Sequence, residues 1–128
     1  MFSTSKKNVY QDDANTIIGE STTIEGNIAS DESIRVDGDL TGNIDCKSDV
    51  TIGELGHVTG NINGSNVIVS GKVEGNIESS ALTKVTETGK VLGDIETINL
   101  VVEDGGIVNG NCAMKVNDVK RIIGPIEE

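Results

Sequence analysis

The sequence predicts an all-β chain wound as a single-stranded β-helix of about six coils. Three observations carry this expectation. A seven-residue motif returns at intervals close to 17 residues, the apolar residues between its copies alternate with polar ones, and the chain has almost no aromatic side chains to build another kind of core.

The motif is clearest as Gly56-His57-Val58-Thr59-Gly60-Asn61-Ile62. Its echoes are Gly38 to Ile44, Gly71 to Ile77, Gly89 to Ile95 and Gly106 to Cys112, with a sixth copy from Thr22 to Ile28 that lacks only the first glycine. The second glycines, Gly26, Gly42, Gly60, Gly75, Gly93 and Gly110, are separated by 16, 18, 15, 18 and 17 residues. That length is too short for a helix pair or a propeller blade and suits one three-sided coil. Within each copy the Val and Ile share a parity, so both point inward, and the Gly-Asn between them marks a corner. In-register stacking would align Asn27, Asn43, Asn61, Asn76 and Asn111 as an amide ladder, with Asp94 interrupting the row. The remaining faces are expected from the pairs Ile34 and Val36, Val50 and Ile52, Val67 and Val69, Leu82 and Val85, Leu100 and Val102, and Met114 and Val116.

Composition excludes several function classes. The formal charge of -11, with Lys and Arg occurring singly through the body of the chain, opposes a nucleic-acid surface. No apolar run reaches the roughly 18 residues of a membrane span, and the start of the chain lacks a secretory apolar stretch, so a cytoplasmic location is expected. Cys46 and Cys112 are placed about four coils of roughly 4.8 Å apart, beyond disulfide reach. Neither a P-loop nor a dinucleotide fingerprint can be read, Asp37-Gly38-Asp39 lacks the spaced ligands of a calcium loop, and no cofactor or metal is expected.

The opening Met1 to Lys7, the segment Thr16-Ile17-Ile18-Gly19-Glu20 and the repeated Gly-x-Val-x-Gly-Asn-Ile resemble bactofilins over about residues 1 to 116. The resemblance implies a right-handed β-helix, a bacterial cytoskeletal role, nucleotide-independent non-polar filaments, membrane association through the N-terminus, and cell-wall synthesis or remodelling proteins as partners. It implies no enzyme. Two other readings stand beside it: a left-handed β-helix acyltransferase, for which His57 is the one candidate and against which the irregular coil lengths speak, and a monomeric carbohydrate-binding solenoid.

The expected domain is residues 17–116, between an N-terminal tail of residues 1–16 and a C-terminal tail of residues 117–128. Met1 and Phe2 followed by Lys6 and Lys7 form an apolar tip with two cations, suited to the inner face of an anionic membrane. Uncapped solenoid ends predict self-assembly by stacking. The residues expected at those ends are Ile17, Ile18, Ile24 and Ile28 on one side and Val108, Cys112 and Met114 on the other.

Overall fold

A computed structural model describes residues 16–114, which form an all-β, parallel solenoid of six turns. Coil one comprises β1 (Thr16–Ile18), β2 (Thr23–Glu25) and β3 (Ile28–Ser30); coil two, β4 (Ile34–Val36), β5 (Asp39–Thr41) and β6 (Ile44–Cys46). Coil three runs through β7 (Val50–Ile52), β8 (His57–Thr59) and the start of β9 (Ile62–Val69). Coil four takes the rest of β9, then β10 (Lys72–Glu74) and the start of β11 (Ile77–Val85). Coil five follows with the rest of β11, β12 (Lys90–Leu92) and β13 (Ile95–Thr97); coil six holds β14 (Asn99–Val102), β15 (Ile107–Asn109) and β16 (Cys112–Met114).

Each coil thus contributes one strand to each of three faces. The middle strands form a six-stranded sheet in the order β2-β5-β8-β10-β12-β15, here the motif face. The strands before it form the first face and those after it the third, and β9 and β11 run round the corner that joins these two. Every pairing is parallel and joins one coil to the next, so like residues stack. On the motif face the inward column is Ile24, Leu40, Val58, Val73, Val91 and Val108.

The irregular coil lengths have a simple origin. The three-residue strands of the motif face and the Gly-Asn or Gly-Asp corner that follows them are constant, whereas the other two corners vary. The corner before the motif face is a four-residue turn at Gly53–Gly56, Thr86–Gly89 and Glu103–Gly106, closed by a bond from the last N–H to the first carbonyl, but only Asp37-Gly38 or Ser70-Gly71 in coils two and four. Length changes fall outside the strands, so the inward parity survives them.

The core is aliphatic and continuous from Ile18 to Ile95. One expected pair is displaced: Thr83, not Leu82, takes the inward place between Val67 and Leu100, because the corner at Ser79 to Leu82 carries a register shift. A second inward column, on the third face, includes the small side chains Cys46, Ser79 and Thr97, which the alternation of apolar residues does not single out. Ser79 Oγ lies 2.7 Å from the carbonyl oxygens of Ser65 and Leu82, with one proton to donate to either, Thr97 Oγ1 donates to that of Asn99 at 2.9 Å, and Cys46 Sγ to that of Glu32 at 3.1 Å. Each of these side chains thus hydrogen-bonds a carbonyl at or beside a corner.

Candidate functional site

The surfaces with functional potential are the two ends and the three outer faces. At the C-terminal end, core columns run out into the open. Val85 is fully buried but its neighbour above, Val102, is 43% exposed; Thr97 is fully buried but Met114 is 51% exposed. Val108 is half-buried and Cys112 exposed, each stacked on a buried residue, Val91 and Ile95. At the other end Ile24 and Ile28 are half-buried beneath the buried Leu40 and Ile44. Ile18 is buried within coil one, and Ile17 points outward from the first face at 54% exposure, so it belongs to a side of the solenoid and not to its end. Met1, Phe2, Lys6 and Lys7 lie outside the described residues, as do Val116 and the C-terminal tail.

The Gly-Asn corners form a rail along one edge. Gly26, Gly42, Gly60, Gly75, Gly93 and Gly110 all have φ between +136° and +155°, a region that disfavours L side chains. In the last five, an added Cβ would press on the carbonyl of the corner glycine one coil below; at Gly26 it would meet no described residue within 4 Å. The missing neighbour marks the open end. The ladder joins side chain to backbone: Asn27 Oδ1 accepts from Asn43 N–H, Asn43 Oδ1 from Asn61 N–H, Asn61 Oδ1 from Asn76 N–H, and Asn76 Oδ1 from Asp94 N–H, at 2.9–3.0 Å. Asp94 does not interrupt the row. Only an acceptor oxygen is needed, and its Oδ1 accepts from Asn111 N–H at 3.1 Å.

The outer faces differ in charge. The outward column of the first face is Ile17, Arg35, Thr51, Ile68, Lys84 and Val101. That of the third face is Ala29, Asp45, Asn63, Glu78, Glu96 and Ala113, and it borders a groove of about 820 Å³ beside the asparagine rail. The motif face carries mixed charge that pairs with itself. His57 Nε2 lies 2.8 Å from Glu74 Oε2, and Lys72 Nζ 3.2 Å from the same oxygen. The hydrogen bond from His57 and then that from Lys72 hold the Glu74 carboxyl below its ordinary value. His57 is therefore tied into a coil-to-coil contact with the neighbouring strand. Among the described residues no group of three or more His, Cys, Asp or Glu gathers as a metal site, and no helix is long and apolar enough to cross a membrane. Cys46 is buried, Cys112 is exposed, and both are free.

A family described as "Bactofilin: Polymer-forming cytoskeletal" matches residues 16–113, the whole solenoid but for its last residue. The chain belongs to the bactofilin family. No curated protein matches this bactofilin by sequence. Among solved structures it is similar to a Thermus thermophilus bactofilin from a cryo-EM reconstruction of double helical filaments, with 20% identity and a TM-score of 0.67, over 76% of this chain and 98% of the other. That likeness supports the solenoid fold, and the family places the chain among polymer-forming cytoskeletal proteins.

Proposed function

We propose that this bactofilin is a passive scaffold whose protomers stack end to end, without nucleotide, into non-polar filaments held at the inner face of the cell membrane, where they organise cell-shape or cell-wall proteins. The observation that carries the reading is the exposed core cross-section at Val102, Val108, Cys112 and Met114, directly above columns that are buried one coil earlier. Stacking on a second protomer would cover these side chains as each inner coil covers the one below it. Isologous contacts, each end on its like, give a filament without polarity. The membrane part rests on the sequence of the N-terminal tip. Each Lys near an anionic surface contributes about 1 kcal/mol and a buried Phe roughly 1.5–3 kcal/mol, weak for one copy but additive along a polymer.

Filaments in negative stain from purified protein without nucleotide are the expected result. Val108→Arg and Met114→Arg should yield folded monomers, because an Arg there loses its water only when a second protomer arrives. Val73→Arg, fully buried between coils within one chain, should unfold or aggregate instead. Normal filaments from both terminal variants would remove the C-terminal coil from the polymer contact. For the membrane part, deleting residues 2–8 should abolish co-sedimentation with anionic liposomes and leave filaments intact; lipid binding that persists would overturn it.

A further inference from the structure

The first and third faces are chemically matched to each other, and neither is matched to itself. The outward column of the first face has two cations and no anion; that of the third has three anions and no cation. The motif face differs from both, since its strands carry both signs, Glu25, Asp39 and Glu74 with Lys72 and Lys90. The first face offers large aliphatic side chains at its two ends, Ile17 and Val101, both exposed, where the third face offers the small Ala29 and Ala113.

From these columns we infer a lateral interface: the first face of one protomer docks on the third face of another copy of this chain lying alongside and running in the opposite direction. The inference rests on the filament reading above. Because each coil supplies one outward strand residue to the first face and one to the third, and coil spacing is the same in both copies, a match made at one coil persists along the length. With coils running in opposite senses, Arg35 of coil two meets Glu96 of coil five, and Lys84 of coil five meets Asp45 of coil two. Ile17 and Val101 then lie over Ala113 and Ala29, large against small, along the groove beside the asparagine rail. Thr51 meets Glu78 as a hydrogen-bond donor, and Ile68 meets Asn63. Pairing in the same direction keeps both ion pairs but sets the Glu78 carboxylate against Ile68, which disfavours it. Arg35 and Lys84 do hold partners within the chain, Asp37 at 2.9 Å and Glu103 at 3.4 Å. Both pairs are partly exposed, and such pairs exchange partners at little cost.

The test uses the full chain. Arg35→Glu with Lys84→Glu should reduce side-by-side association of filaments in negative stain by roughly tenfold or more, since like charges then face each other, while single filaments persist. Adding Asp45→Lys and Glu96→Lys to the same chain restores complementarity and the parent's net charge, and should restore pairing. Mixing Thr51→Cys protein with Glu78→Cys protein under mild oxidation should give a heterodimer whose disulfide joins positions 51 and 78, as peptide mapping reads it. Unchanged pairing in the double variant, single filaments only in the parent chain, or preferential crosslinking of Thr51→Cys to itself or to Asn63→Cys would each overturn the interface. Single parent filaments would do so while leaving end-to-end assembly standing; a parent chain that forms no filament at all would remove that reading and the lateral interface with it.

Discussion

Replacing Gly75 with alanine should cost far more stability than the same change at Gly26, although the two glycines hold the same corner. Both have positive φ, +149° and +136°, and an L residue there costs on the order of 1–3 kcal/mol. Only Gly75 adds a steric conflict. A Cβ would stand 2.7 Å from the carbonyl carbon of Gly60 and closer still to its oxygen, where ordinary contact begins near 3.4 Å. Relief requires the corner to lift by roughly an ångström, which stretches the bonds from Gly60 N–H to Glu74 O at 2.9 Å and from Asn76 N–H to Asn61 Oδ1 at 3.0 Å. Losing two such bonds adds about 1–3 kcal/mol. The expected totals are about 2–6 kcal/mol for Gly75→Ala and about 1–3 kcal/mol for Gly26→Ala. Urea denaturation followed by circular dichroism measures both, in a Val108→Arg background so that assembly does not add to the apparent stability. Equal midpoints for the two variants would show that backbone conformation alone sets the cost, and the close approach between corners would lose its assigned role.

Thr83→Val should raise stability by about 1 kcal/mol, because the buried Oγ1 has no hydrogen-bond partner among the described residues and an isosteric methyl removes its desolvation cost; an unchanged or lower denaturation midpoint would point to a partner for the hydroxyl. Asp94→Asn should be nearly neutral and Asp94→Ala should cost about 1 kcal/mol, since only the oxygen accepting from Asn111 N–H matters; equal losses in the two variants would contradict this. Glu74 contributes a pH dependence of definite sign. Its folded pKa lies below its ordinary value, so the contribution is present above that value of 4.5 and is lost as pH falls through the folded pKa. His57→Ala should move the Glu74 carboxyl titration upward in a carbon-detected NMR experiment, more than Lys90→Ala, and a shift no larger than that of the control would exclude the histidine as the main cause.

Most of the fold was legible because stacking in register imposes the same demand on every coil. Gly26 and its equivalents recur since each corner requires positive φ, and all but the first lie too close to the coil below for a side chain. The inward valines and isoleucines recur for the same reason. What escaped the sequence reading is what varies from coil to coil. Thr83 is polar and sits beyond a corner of irregular length, so alternation pointed to Leu82 instead. The small column of Cys46, Ser79 and Thr97 carries no common residue type, only a shared need to bond corner carbonyls. Asp94 is an exception only to an amide-to-amide ladder; the acceptor oxygen that carries the ladder is common to Asn and Asp. The charge segregation between faces was hidden for a different reason: Arg35 and Lys84 are 49 positions apart in sequence and share a column only after three coils have stacked.

The division between one fixed corner and two variable ones also bears on how such a protein can change. A strand-length error would turn core residues outward, and an extra residue beside Gly60 or Gly93 would break the rail, but the turns at Gly53–Gly56 and Thr86–Gly89 already differ in length from their counterparts in coils two and four. Insertions and deletions are therefore tolerated along two edges of the prism and excluded from the third. Leu55, 66% exposed at the tip of one of these turns, marks a position where an epitope or fluorophore could be inserted with the neighbouring coils undisturbed. Duplication of a complete coil would likewise lengthen the rod in steps of roughly 4.8 Å, with each new layer meeting the same contacts above and below.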